Sequence, residues 1–132
     1  MSRYMERAEN MARFVDVNLH LVLDLPGEEA NQWEYLVAVT ADEAYLAERY
    51  GQRKKRRAVR CLPFDEGYAN SIAACLRAAR ECARTIRETI SSELWRHANE
   101  MYLQINSKNA RRQSTYRPSE FYKIGRASCR ER

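Results

Sequence analysis

Apolar residues recur every three or four positions along the first part of the chain, from about Ser2 to Leu25. This spacing predicts an amphipathic helix, and Pro26-Gly27 would stop it. Its apolar stripe comprises Tyr4, Ala8, Met11, Ala12, Val15, Leu19 and Val22. Its polar face comprises Glu6, Glu9, Asn10, Arg13 and His20, with Arg7 at the boundary.

Shorter helical patterns follow this first segment. A helix is predicted over residues 28–39, and the sequence from Thr40 to Glu43 predicts a capping box that starts another helix. That helix would run to Tyr50 and end at Gly51. Residues 52–62 predict one more short helix, and the sequence PFDEGYAN at residues 63–70 predicts a loop.

The longest helical pattern begins at Asn70 or Ser71, either of which can cap a helix. Ser91-Ser92 either kinks this helix or ends it and caps the next one. Its apolar seam comprises Ile72, Leu76, Ala79, Ala83, Ile86 and Ile90, and the pattern continues in Leu94, Ala98, Met101, Tyr102 and Ile105. We therefore predict an all-α, multi-helix bundle in which the first helix packs along the long helix through these stripes.

Composition narrows the class of protein without identifying a function. The chain has 132 residues, 45% of them hydrophobic and 31% charged, with a net charge of +5, which suits one globular domain. It shows no signal peptide and no apolar run long enough for a membrane helix. The four cysteines form no C-x-x-C pair, which favours reduced thiols and a cytoplasmic location. We expect neither a metal nor a cofactor.

A second polar stripe lies beside the seam of the long helix. It consists of Arg77, Arg80, Arg84, Arg87 and Ser91, flanked by Glu81 and Glu88. Three interpretations stay open. The two stripes are solvated faces held by local ion pairs. They face each other across a cleft and bind an anionic small molecule or peptide, because arginine holds carboxylate or phosphate in bidentate fashion. Or the chain is an enzyme that uses Glu6 or Glu9 as acid or base.

The enzyme interpretation is the weakest of the three, because a carboxyl group beside several arginines is a poor proton donor at neutral pH.

The basic run RKKRR, Arg53–Arg57, could bind nucleic acid or an acidic partner. No aromatic residues interleave with it, so a solvated basic face is favoured and nucleic-acid binding is not expected.

Two segments, SRYMERAENMARFVDVNLHLVLDLP (residues 2–26) and SIAACLRAARECARTIRETISSELW (residues 71–95), resemble the bacterial alpha-E domain. AYLAERYG and YANSI resemble it in the same order. This is a helical domain of unknown function named for a Glu-Arg motif, here Glu6-Arg7. The motif positions that carry over are Glu6, Arg7, Glu9, Asn10, Arg13, Arg77, Arg80, Glu81, Arg84, Arg87, Ser91 and Glu93. Cys82 departs from the family, which usually has a polar residue there.

The resemblance implies a setting and a length. Family members are encoded near ATP-grasp-type ligases and transglutaminase-like proteins, which implies such a partner and a role in amide-bond formation or peptide modification. The family domain is roughly twice as long as this chain, so residues 1–123 are expected to be its N-terminal part. Residues 124–132, IGRASCRER, resemble translated sequencing-adapter sequence and are excluded from the fold.

Overall fold

The computed structural model describes residues 1–24, 43–50, 62–108 and 110, and these ranges contain four α-helices. The helices are α1 (Ser2–Asp24), α2 (Glu43–Tyr50), α3 (Ile72–Thr85) and α4 (Ser92–Asn106), and a 3-10 turn spans Leu62–Phe64. No strand occurs in these ranges, so the all-α prediction is confirmed. Outside them lie the helix predicted over 28–39, all but Leu62 of the helix predicted over 52–62, Thr40 of the predicted capping box, the basic run Arg53–Arg57 and the last residues, 111–132.

The first helix packs against α3, as its apolar stripe predicts. The small residue Ala79 is 1% exposed and belongs to the core cluster that holds residues of both helices, where its small side chain allows close packing. The buried side chains of the two helices include Met5, Ala8, Met11, Ala12 and Val15 from α1 and Ile72, Leu76 and Ala79 from α3, all members of one core cluster. The side chain of Leu19 lies outside the described part of the structure.

The long helical pattern is two helices and not one. Helix α3 ends at Thr85, a turn covers 86–90, and Ser91 caps α4 by accepting a hydrogen bond at Oγ from the Leu94 backbone N–H, at 3.1 Å. The prediction that Ile86 belongs to the buried seam is wrong: it is 43% exposed. Its backbone (φ −108°, ψ 23°) leaves the helix there, so its side chain no longer follows the seam.

The turn brings α4 back along α3, and α3 therefore contacts both α1 and α4. Met101 and Ile105 of α4 join the same core as the buried residues of α1. Phe64 and Tyr68, in the segment that leads into α3, also join it. None of the helices in the described ranges is long and apolar enough to cross a membrane.

Candidate functional site: an arginine–aromatic surface on α3 and α4

The predicted polar residues of α1 lie at the surface. Glu6, Arg7, Asn10 and Arg13 are exposed, and Glu9 is half-buried. Arg13 Nη2 lies 3.0 Å from Glu9 Oε1, one turn away on the same helix. The Arg7 guanidinium lies 5.9 Å from the centre of the Tyr4 ring. The ion pair of Arg13 and the ring contact of Arg7 are therefore local to α1, although the charge of Arg7 also acts on Cys75 of α3.

The arginines of α3 form a second surface. Arg77 lies 3.4 Å from Glu66, and Arg80 and Arg84 lie 3.5 and 3.6 Å from the two carboxylate oxygens of Glu81. Among the described residues, none of the predicted α3 arginines pairs with a carboxylate of α1. Arg87, Glu88 and Ser91 are exposed, and Arg87 and Ser91 lie beyond the end of α3. None of these ion pairs among the described residues joins the two predicted stripes, and binding of an anion by these residues stays a prediction.

Instead, Arg80 and Arg87 meet aromatic side chains of α4. The guanidinium carbon of Arg80 lies 4.9 Å from the centre of the Tyr102 ring and 6.0 Å from that of Trp95. Arg87 lies 5.1 Å from Trp95. The four side chains alternate in the order Arg87, Trp95, Arg80, Tyr102, and we call this arrangement the arginine–aromatic ladder. Cation–π contacts of this geometry each contribute about 0.5–1 kcal/mol at exposed sites.

The ladder positions Arg87 without neutralising its charge, whereas Arg80 also lies 3.5 Å from the half-exposed carboxylate of Glu81. Arg80 Nε donates to Asn99 Oδ1 at 2.7 Å, and the amide carries no charge. Aromatic rings contact the flat face of a guanidinium and leave its N–H edge available for a carboxylate or phosphate. Arg87 makes no hydrogen bond or ion pair with the described residues, and its side chain is exposed. The arrangement can therefore bind an anion without first breaking a strong internal ion pair at Arg87.

Sequence reasoning missed Trp95, Asn99 and Tyr102 as partners of the arginines. The signal was present: Arg80 and Arg87 are seven residues apart, and Trp95 and Tyr102 are also seven apart. A continuous long helix would have kept these two pairs far apart along one axis. The turn at 86–90 reverses the chain, and this reversal brings Trp95 and Tyr102 beside Arg80 and Arg87.

A second polar cluster missed by sequence reasoning surrounds Asp65, which is buried. Its Oδ2 accepts hydrogen bonds from Tyr45 Oη at 3.1 Å and lies 3.0 Å from Arg49 Nε. Its Oδ1 accepts from the Gly67 backbone N–H at 2.9 Å. A Cβ at Gly67 would lie 3.0 Å from Tyr45 Oη, so the residue leaves room for this contact. These contacts hold α2 against residues 62–71, the segment before α3.

Other titratable groups of the described ranges have structural roles. Burial raises the pKa of the Cys75 thiol, and the nearby charge of Arg7 lowers it only in part. A buried, protonated thiol is a poor nucleophile. His20 Nδ1 lies 2.8 Å from the Asp16 carbonyl oxygen and 3.6 Å from its Oδ1, as expected of neighbours on one helix. In the described part of the chain, no three His, Cys, Asp or Glu side chains group as metal ligands.

Comparison with protein families gives a match over residues 1–130 of the chain. The matching family model, Alpha-E, is described as a predicted alpha-helical domain with a conserved ER motif. The described residues contain two such pairs, the exposed Glu6-Arg7 and Glu48-Arg49, whose arginine contacts Asp65. Searches of curated proteins and of solved structures gave no match. The architecture of the described residues is helical, as the family description states, and the match covers nearly the whole chain. The chain therefore belongs to the Alpha-E family.

Proposed function

We propose that this protein is a helical accessory module that binds an anionic group of a substrate or protein partner. In this proposal it acts with an ATP-grasp-type ligase in the formation or modification of amide bonds. One observation carries the binding role: Arg80 and Arg87 are held in place by the Trp95 and Tyr102 rings and the Asn99 amide. Among the described residues, their one carboxylate contact is that of Arg80 with the half-exposed Glu81, at 3.5 Å.

The energetic argument concerns preorganisation. An arginine side chain has about 2 kcal/mol of rotamer entropy to lose when it binds a ligand. Contacts with Trp95, Tyr102 and Asn99 restrict Arg80 before any ligand arrives, and Trp95 does the same for Arg87. Since no buried carboxylate neutralises them, a ligand carboxylate gains charge-assisted hydrogen bonds of full strength. Arg84, whose side chain is 70% exposed, adds positive charge between them.

The link to a ligase comes from the family. Alpha-E resemblance implies a neighbouring ATP-grasp-type or transglutaminase-like protein, and such ligases join carboxylates to amines. A module whose arginines bind an acidic group could hold the carboxylate substrate of such a ligase. Catalysis by this chain itself is less favoured, because Glu9 is paired with Arg13 and the Cys75 thiol is buried. Binding through Arg53–Arg57 has no such support.

The test is an ATP-dependent ligation assay with the ligase recovered from the native organism, with and without this protein. We expect turnover to require both proteins. Arg84→Leu and Arg87→Gln should lower turnover by about tenfold by weakening charge-assisted contacts. Arg96→Gln is the matched control, because Arg96 is an exposed arginine of α4 that contacts Glu100 and not the ladder. Turnover by this protein alone would overturn the accessory role.

A further inference from the structure

The spacing of the ladder indicates what kind of anionic partner it fits. The guanidinium carbons of Arg80 and Arg87 lie 6.0 and 5.1 Å from the centre of the same Trp95 ring, so they are at most about 11 Å apart. Two carboxylates seven residues apart on one side of a partner helix are separated by about 10 Å, at ~1.5 Å of rise per residue. Such a pair of carboxylates therefore matches the reach of the two arginines. A single carboxylate would engage one end of the ladder and leave the other without a partner.

We infer that the ladder is a docking surface for an acidic α-helix of a protein partner, with carboxylates seven residues apart that pair with Arg80 and Arg87. The inference rests on the proposed anion-binding role and specifies the partner. Its geometry is that of charge pairs between parallel or antiparallel helices, in which residues seven apart stay on one side. Charge complementarity selects an acidic helix over a basic one.

The surroundings of the ladder fit a helix that lies along the surface where α3 packs against α4. On α4, Leu103 is 56% exposed and follows Tyr102, which places it about 100° further around the helix. On α3, Arg84 lies on the same side as Arg80, one turn away. This surface therefore presents arginines together with an exposed apolar side chain. An amphipathic helix with an acidic edge and an apolar edge complements both.

Single-stranded nucleic acid is a poorer fit to the same surface. Its binding proteins stack successive bases on free aromatic faces. Here Trp95 is already approached by Arg80 and Arg87, and Tyr102 by Arg80. A base would have to displace a guanidinium before it could stack, whereas a carboxylate needs only the guanidinium edge. The rings thus support the arginines and do not compete with the ligand.

The experiment uses cross-linked helical peptides and the full chain, with binding measured by calorimetry. One peptide carries two glutamates seven positions apart. The matched control has the same composition with the glutamates five positions apart, which places them about 140° apart around the helix. We expect the first peptide to bind about tenfold more tightly. Arg87→Glu should abolish this preference and favour a peptide with one glutamate and one lysine at the same two positions, because Arg80 stays positive, whereas Arg96→Glu should leave the preference unchanged.

The possible results separate the two proposals. Equal binding of the two acidic peptides would overturn the docking of a helix and leave anion binding in place. Failure of every acidic peptide, with ligation still sensitive to Arg84→Leu and Arg87→Gln, would also overturn it and leave the proposed function. Circular dichroism of each variant confirms folding, and Arg87→Gln provides a second, milder variant. Tighter binding of a single-stranded oligonucleotide than of either peptide would assign the surface to nucleic acid.

Discussion

Arg49 Nε lies 3.0 Å from Asp65 Oδ2, and this contact ties α2 to the segment that leads into α3. The two residues play unequal parts. The Asp65 side chain is 4% exposed, whereas that of Arg49 is 55% exposed. The carboxylate thus depends on protein donors, because water cannot reach it, while the guanidinium remains partly solvated. Tyr45 and Gly67 supply further donors to the same carboxylate.

Replacement of this carboxylate by an amide should lower stability. Asp65→Asn removes the negative charge that Arg49 and Tyr45 contact. It also leaves one oxygen acceptor where the carboxylate has two. We expect a loss of about 2 kcal/mol in the free energy of unfolding, since hydrogen bonds to charged groups contribute about 1.5–3 kcal/mol. Solvation of Arg49 keeps the loss below the value for a fully buried ion pair. Urea denaturation followed by circular dichroism measures it.

Glu66→Gln is the control for this prediction. Glu66 is the next residue and also contacts an arginine, Arg77, at 3.4 Å, but both side chains are about half exposed. Exposed pairs contribute about 0–1 kcal/mol. A loss as large as that of Asp65→Asn would show that burial of Asp65 is not what makes its contacts stabilising.

A second prediction concerns the packing of the buried face of α3. Ala83 is fully buried, and Ala83→Leu adds three carbon atoms to a side chain that has no exposed surface. We expect a loss of about 1–3 kcal/mol or more from overpacking. The neighbouring substitution Arg84→Leu is the control, because Arg84 is exposed and arginine and leucine have similar helix propensities. If the two variants were equally stable, the seam would not be tightly packed.

The sequence could predict the helices and the α1–α3 seam because both depend on spacing within one segment. The periodicity of Ala8, Met11 and Val15 matched that of Leu76 and Ala79, and all five are buried. The partners of Arg80 depend instead on where the chain reverses. Ser91 marked that position, yet the same pattern allowed a kinked continuous helix, so the side chains of α4 could not be assigned to the arginines.

The Asp65 cluster was beyond sequence reasoning for a different reason. Its members come from two segments that no periodic pattern connects, and a lone aspartate in a loop is usually solvated. Only the packing of α2 against residues 62–71 encloses it. Both segments resemble the same family, but this resemblance does not indicate that α2 and residues 62–71 are in contact.

A third prediction compares the two helix caps. Ser71 Oγ accepts a hydrogen bond from the Ala74 backbone N–H at 3.0 Å, and Ser91 Oγ accepts one from Leu94 N–H at 3.1 Å. Ser71 is fully buried, whereas Ser91 is exposed. In Ser91→Ala, water can replace the lost acceptor, but in Ser71→Ala it cannot. We expect Ser91→Ala to lower the free energy of unfolding by about 0.5–1 kcal/mol and Ser71→Ala to lower it by about 2 kcal/mol.

Thermal and urea denaturation measure both losses. Ser92→Ala is the control, because Ser92 is the first residue of α4 and supplies no described cap contact. It should change stability by less than about 0.5 kcal/mol. Equal losses for Ser71→Ala and Ser91→Ala would contradict the role assigned to burial of the cap.

The last prediction concerns the dependence of stability on pH. Burial raises the pKa of the Cys75 thiol above its ordinary value, and Arg7 offsets only part of this. The folded state therefore holds the proton more tightly than the unfolded state does. The resulting stabilisation is fully present below the ordinary thiol pKa, ~8.5, and is lost as pH rises through the raised value of the folded state. Between these two pKa values, we expect stability to fall more steeply with pH in the native chain than in Cys75→Ala.

The comparison should be made as a slope, because Cys75→Ala also removes buried volume and lowers stability at every pH. Urea denaturation at pH 7 and at intervals up to pH 10 gives the slope for each protein. Ile72→Val is the control, since it also removes buried volume but no thiol, and its slope should stay close to that of the native chain. Identical slopes for the native chain and Cys75→Ala would mean that the thiol ionises in the fold as readily as in the unfolded chain. Burial beneath Arg7 would then impose no cost on the thiolate.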